Sequence, residues 1–237
     1  MTLLSIVQTA APRFGIQAPN AAASSTDQNV QQIVAFVNEE GQELGSQYNW
    51  QALTREATFV TLAAETQGAI TTLAGADFDS ILNETLWNRT QQRPVFGPKS
   101  PQQWQQLKAQ FSQGPWQQYR LRGNNLMFTP APSAGQNVYF EWITRNWATD
   151  TTGATGKSAM TVDTDLSLLP ERLLTLGAIW RFKAAKKLDY SQDFQKYQEA
   201  VDTAVSKDAS KPKLSLNGPD IDIFPVVLVA AGNWGIP

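Results

Sequence analysis

The sequence predicts an α+β fold: a helical bundle with long helices and an αα-hairpin, plus a small antiparallel β-sheet and an extended C-terminal arm. Three observations lead to this prediction. Apolar residues recur at helical spacing in residues 25–45 and 169–206. They alternate with polar residues between 119 and 143, which is the period of a strand. After residue 207 the composition changes to a polar link and then to an apolar stretch with proline and glycine.

Two helices are predicted in the N-terminal part of the chain. Residues 2–10 have an apolar residue every third or fourth position, and the pattern is broken by Pro12. Ser25 and Gln28 fit a capping box, so a long helix is expected from Ser25 to Gly45.

Shorter elements are predicted next. Residues 58–62 favour a strand, and Ser100 with Pro101 has the chemistry of an N-cap followed by the first helical residue. The intervening segment 75–100 is irregular and too polar for a long core element.

The alternating region predicts a sheet of three strands. Residues 119–121 and 126–128 flank Gly123 and Asn124, whose turn chemistry predicts a hairpin. Residues 138–143 predict a third strand beside it, and residues 160–162 a brief further strand.

The second long helical region begins after Pro170, with Glu171 in the first turn. One apolar stripe contains Leu169, Leu173, Leu176 and Trp180, and a second, on the following helix, contains Phe194, Tyr197, Val201 and Ala204. Because the link at 187–190 is short, these two helices are expected to form the αα-hairpin. We expect one domain over residues 1–206, with a β-sheet insertion at about 115–162, and an arm over 207–237.

Composition excludes several kinds of chemistry. The chain has no histidine and no cysteine, so it lacks the commonest general base, the thiolate nucleophile and the usual zinc ligands. A formal charge of −2 argues against tight binding of nucleic acid, which needs clustered Lys and Arg. No basic signal region and no apolar stretch of ~20 residues is present, so a soluble, unprocessed protein without membrane contact is expected.

Two local motifs could hold a ligand. Residues 153–158 end like a phosphate-binding loop, but the pattern requires glycine where Thr151 stands, and we favour a surface loop. Asp163 and Asp165 could ligate Mg²⁺ or Ca²⁺, but we favour turn and helix-cap chemistry. No cofactor and no metal are therefore expected.

The order of motifs resembles the tail adaptor (head-to-tail connector) proteins of short-tailed and related bacteriophages. The resemblance extends over roughly residues 26–205 and rests on five motifs: Asn29-x-x-x-Ile33-x-x-x-Val37-Asn38-Glu39-x-Gly41 followed by Trp50, then residues 119–124, residues 138–142, Asp163-x-Asp165, and residues 169–174. It implies a non-enzymatic virion subunit in a twelve-fold homo-oligomeric ring between the portal protein and the tail tube or nozzle. DNA would pass through the ring without specific binding. The location implied is the phage neck, after assembly in the host cytoplasm.

Exposed aromatic, basic and terminal apolar residues are the candidates for contacts between subunits. Trp142 and Trp180 lie on stripes predicted to be buried and are assigned to the core. The interface candidates are Trp87, Trp116, Arg181, Lys183, Lys186, Lys187, Ile221, Ile223, Phe224, Val227, Val229 and Trp234. Two alternatives stay open at this point: a carbohydrate-binding tail or surface module, and an enzyme that uses only carboxylates.

Overall fold

The computed structural model describes residues 2–109, 114 and 116–208. Within those ranges the chain forms α1 (Leu3–Ala10), α2 (Gln28–Gln47), α3 (Ile70–Leu73), α4 (Pro101–Ala109), α5 (Glu171–Ala185) and α6 (Ser191–Asp208), with 3₁₀ turns at Ala11–Phe14 and Gln51–Leu53. The strands are β1 (Thr54–Val60), β2 (Thr66–Ala69), β3 (Phe78–Ile81), β4 (Trp87–Asn88), β5 (Arg93–Pro94), β6 (Gln118–Arg122), β7 (Asn125–Thr129), β8 (Asn137–Thr144), β9 (Ala148–Thr149), β10 (Gly156–Lys157) and β11 (Leu166–Ser167). The protein is thus a mixed α+β fold, and none of the described helices is long and apolar enough to cross a membrane.

The helices meet in one apolar core. α5 packs on α1, α2 and α6, and its residues Leu173, Leu174, Leu176, Gly177, Ala178, Ile179 and Phe182 are buried. Such all-round burial makes α5 the central helix. The sequence predicted a single stripe on α5, and Trp180 from that stripe is only half-buried, against Tyr190, Phe194 and Tyr197. The assignment of Trp180 to the core is therefore corrected, whereas Trp142 is buried as expected.

The predicted capping box at the start of α2 is wrong. Asp27 is the N-cap, and its carboxylate accepts a hydrogen bond from the N–H of Asn29 at 2.8 Å. The Ser25 hydroxyl instead accepts from the N–H of Asp27. A capping box does form at α4, where Ser100 and Gln103 each accept with a side-chain oxygen from the other's N–H.

The β-structure is wider than predicted and is paired differently. β8 is central in a five-stranded antiparallel sheet, with β1 on one side and β3 and β4 on the other. The predicted hairpin is β6–β7, but it pairs with β2 and not with β8. Strands also precede the predicted insertion at 115–162: β1 overlaps the strand predicted at residues 58–62, and β2 to β5 lie where no strand was predicted. The brief strand expected at 160–162 is absent, because those residues form a turn around Asp165.

Glycine at position 41 allows α2 to approach the indole of Trp147. A Cβ on Gly41 would lie 2.4 Å from ring atoms of Trp147, which is itself 1% exposed. Four residues further on, a Cβ on Gly45 would find its nearest neighbour, a Leu53 methyl, at 3.7 Å, which is ordinary contact. A methyl group added at position 41 would therefore clash with Trp147, whereas a methyl group added at position 45 would make ordinary van der Waals contacts.

We expect Gly41→Ala to lower the free energy of unfolding by about 1–3 kcal/mol, because the buried indole has no room to move aside. Gly45→Ala is the matched control and should raise stability by about 0.5–1 kcal/mol, since alanine loses less backbone entropy in a helix. Urea denaturation of the two variants checks this. Equal effects of the two substitutions would contradict the close approach.

Candidate functional site

Arg181 on α5 is directed into the subunit, at the junction of α2, α5 and α6. Its Nε donates to Oε2 of Glu40 at 2.8 Å, and Nη1 donates to Oε1 of Glu39 at 2.7 Å. Nη2 pairs with Glu43. The Arg181 side chain is 10% exposed and that of Glu40 is fully buried.

Glu40 is held in this junction by close packing. A Cβ on Gly177 would lie 2.2 Å from the Glu40 carboxyl carbon, so α5 needs glycine there to make room for the side chain. Burial raises the pKa of Glu40, although Tyr197 and Arg181 both favour its charged form. Because the side chain has no exposed surface, Glu40 has no access to a substrate and acts as a structural partner of Arg181.

The lysines of the predicted basic cluster have different surroundings. Lys183 pairs with Asp193 on α6. The Nζ of Lys186 donates to Oδ1 of Asn29 at 3.2 Å and lies 5.2 Å from the Phe182 ring. Lys187 is exposed in a left-handed conformation just after α5. The positive surface at this helix end therefore comes from Lys186 and Lys187 more than from Arg181.

The two aspartates at 163 and 165 organise a turn that holds the N-terminal segment. Oδ1 of Asp163 accepts from the N–H groups of Ala22 and Ala23 at 2.9 and 2.7 Å. Asp165 pairs with Lys157 at 2.6 Å and accepts from the N–H groups of Thr161 and Val162. In addition, their backbone carbonyls accept from the first residues of α1. These carboxylates are occupied by N–H donors of the protein, which is the turn chemistry that the sequence favoured.

Residues 153–158, whose sequence ends like that of a phosphate-binding loop, do not form one. Gly156 and Lys157 form β10, and Lys157 is bound to Asp165. The loop before it is closed by Asp150, whose carboxylate accepts from the N–H groups of Thr152 and Ala154. Residues 158–170 contain no helix, so the helix N-terminus that a phosphate loop requires is missing there.

The buried ion pair of Asp165 predicts a pH dependence. Burial alone would raise the pKa of Asp165, but Lys157 and the two N–H donors outweigh it and hold the pKa below its ordinary value of 3.8. A carboxylate with a lowered pKa stabilises the fold above its ordinary pKa, and this contribution is lost as the pH falls through the folded-state value.

We therefore expect Asp165→Asn to lower the free energy of unfolding at pH 7 by about 1.5–3 kcal/mol. The difference from the unsubstituted protein should shrink as the pH falls below about 4. Denaturant unfolding at pH 7, 5, 4 and 3 measures this, with Asp202→Asn on the exposed face of α6 as the control. A difference that stayed constant over this range would contradict the ionic contribution.

An exposed aromatic pair marks one candidate contact surface. Trp116 is 45% exposed and Phe96 is 38% exposed, and their rings meet edge to face with centroids 5.8 Å apart. The guanidinium of Arg93 lies 5.6 Å from the Trp116 ring. Exposed aromatic rings next to arginine are typical of surfaces that bind another protein. Trp87, by contrast, is half-buried in β4 and lines a small cleft of about 340 Å³ with Glu56 and Glu141.

A second surface is the groove of about 1050 Å³ between α1, the first half of α5 and the second half of α6. Its walls carry four cations, Arg13, Arg172, Lys196 and Lys207, and three carboxylates, Glu171, Glu199 and Asp208. Mixed charge of this kind does not favour a polyanion such as DNA. None of the described residues forms a group of carboxylates suited to hold a metal ion.

Sequence reasoning found some of these residues and missed others. It named Trp116 but not Phe96 or Arg93, because Trp116 and the segment 93–96 are about 20 residues apart in the sequence and meet only in the fold. It grouped Arg181 with the lysines, because the sequence does not indicate that Arg181 faces α2. Ile221, Ile223, Phe224, Val227, Val229 and Trp234 lie outside the described residues.

Comparison with known proteins gives one family. The family model described as SU10 adaptor protein matches residues 1–217 of the chain. No curated protein matches it. The match includes the helical core, a second apolar core formed by the strands around Phe59, Phe128 and Phe140 (the β core), and every described element.

Proposed function

Because this chain belongs to the SU10 adaptor protein family, we propose that it is a structural subunit of a phage neck and not an enzyme. The family match carries the proposal. The site geometry supports it, since the most deeply buried carboxylates, Glu40 and Asp165, are bound to Arg181 and Lys157 and serve the fold. Nothing in the described fold favours the carbohydrate-binding alternative.

In its finer form the proposal places twelve copies in a ring between the portal protein and the tail tube or nozzle. The exposed pair Phe96 and Trp116 supplies apolar surface for a neighbouring protein. The cations Lys186 and Lys187 supply a positive rim at the end of α5. Of the remaining candidates, Trp87 offers a smaller contact area because it is half-buried.

The proposed ring conducts DNA without binding it specifically. The formal charge of −2 gives the chain no overall attraction for phosphates. In the basic cluster predicted from the sequence, Arg181 and Lys183 form ion pairs with carboxylates of the same chain, which neutralise their charges. A channel wall of this kind lets DNA slide, which the passage of a genome requires.

The test is the assembly state of the purified protein. Light scattering and negative-stain imaging, on the subunit alone and with its portal protein, should show closed rings of a single size in at least one of the two conditions. Mass spectrometry of purified virions should detect the chain at the neck. A protein that stayed monomeric in both conditions and was missing from virions would overturn the proposed function.

A further inference from the structure

β1 presents an open edge to solvent. Its seven residues pair with β8 on one side, and its other side pairs with no other strand of the described residues. Over the described ranges, no backbone hydrogen bond outside the sheet ladders involves residues 55–60. An unpaired edge of this length is a template for a strand from elsewhere.

The side chains of β1 specify what kind of strand fits. Ala57 and Phe59 face the β core, while Glu56 and Thr58 face solvent. Val60 and Leu62, at the far end, are 59% and 53% exposed. A strand added to this edge must have one apolar face and one polar face.

The chain carries such a sequence in its C-terminal segment. Residues 220–224 read Asp-Ile-Asp-Ile-Phe, in which Ile221 and Ile223 alternate with Asp220 and Asp222. The segment follows residue 217, where the family match ends. It is joined to α6 by residues 209–219, a link that can span at most about 36–40 Å.

The described chain ends close to the start of β1. Oδ2 of Asp208, the last residue of α6, accepts from the N–H of Gln51 at 2.9 Å, three residues before Thr54. A segment that left here would run parallel to its own β1, unless the link first followed the whole length of β1, about 23 Å, and the chain then turned back. Every strand pair of this sheet is antiparallel. A segment from a neighbouring copy can approach from the other end of β1 and pair in the antiparallel sense.

We propose that residues 220–224 of one copy add as an antiparallel strand to the open edge of β1 in a second copy. This inference rests on the proposed ring. Each copy then donates one strand and receives one, which is a head-to-tail contact that closes into a ring when the rotation per subunit allows. Within the ring the link holds donor and edge at a high effective concentration, so a short strand suffices.

Cysteine cross-linking tests the proposal cleanly, because the chain has no cysteine of its own. Thr58→Cys places a thiol on the solvent face of β1, and Asp222→Cys places one on the polar face of the added strand. Copies with one cysteine each and different affinity tags are mixed as full chains, assembled and treated with a mild oxidant. We expect covalent heterodimers at least tenfold above a control mixture in which Gln105→Cys, on the exposed side of α4, replaces Thr58→Cys.

A second pair of variants examines the apolar face. Ile223→Lys in the Asp222→Cys copy should abolish most of the cross-link, whereas Asn217→Lys in the link should leave it unchanged.

Three results would overturn the strand addition: no heterodimer above the control, loss of the cross-link with Asn217→Lys as well as Ile223→Lys, or, in a further variant that carries both Thr58→Cys and Asp222→Cys, a disulfide only within single chains. Light scattering on the same samples separates this inference from the proposed function. Rings without the cross-link would overturn strand addition and leave the adaptor function intact. Absence of rings both with and without the portal protein, together with absence of the chain from virions, would overturn the adaptor function itself.

Discussion

Arg181→Met is expected to lower the free energy of unfolding by about 3–5 kcal/mol, because it leaves the Glu40 carboxylate buried without its cation. Glu40 is fully buried, and the contact of its Oε2 with Nε of Arg181 is 2.8 Å. Burial already raises the pKa of Glu40, so removal of Arg181 adds to an existing cost of ionisation. Denaturant unfolding at pH 7, followed by circular dichroism, measures the loss.

Two further variants show whether the effect comes from the buried pair. Glu39→Gln changes a carboxylate that is 57% exposed, and it should cost less than about 1 kcal/mol. Glu40→Met combined with Arg181→Met should regain most of the lost stability, since apolar side chains of similar volume can replace a buried pair. If Arg181→Met alone stays within 0.5 kcal/mol of the unsubstituted protein, the pair does not carry the stability assigned to it.

Trp147→Ala should cost about 3–5 kcal/mol, which is the usual range for a buried tryptophan. The indole is 1% exposed, lies against Gly41 of α2, and donates from Nε1 to the carbonyl of Ser158 at 2.7 Å. Its removal leaves a cavity between α2 and the segment that follows β10, and it leaves the Ser158 carbonyl without that donor. Thermal and denaturant unfolding of the isolated subunit should both show the loss.

Trp116→Ala is the matched control, because Trp116 is the same residue type at 45% exposure. It should change the stability of the monomer by no more than about 0.5 kcal/mol. Its effect is expected instead in assembly, where the Phe96–Trp116 pair would contact a neighbour. Similar losses for the two tryptophans would contradict the assignment of Trp147 to the core and of Trp116 to the surface.

The elements that the sequence predicted are those specified by residues close together in the chain. The helix over residues 28–47 and the turn of the β6–β7 hairpin follow from periodicity and from Gly123 and Asn124. Neighbours along the chain determine both signals, so no knowledge of the tertiary fold is needed. The resemblance to phage tail adaptors is confirmed by the family match, and it too was carried by the order of short motifs.

The roles of individual motif residues needed the structure. The Asn38 side chain forms two hydrogen bonds with the backbone of Met160. Gly41 leaves room for the Trp147 ring, and Glu39 forms an ion pair with Arg181. All three partners are more than a hundred residues away. The spacing of the motif indicated that these positions belong together on one helix, but not what lies opposite them.

What the sequence by itself determined is the α+β class, the family, and the lack of His and Cys chemistry, because composition and local period are properties of the chain alone. Tertiary structure decided that β8 pairs with β1 and not with the adjacent hairpin, that Arg181 faces inward, and that Phe96 joins Trp116 at the surface. The physical reason is that an apolar or charged side chain has several partners of equal chemistry elsewhere in the chain. Which of them it contacts depends on how the two cores pack as a whole.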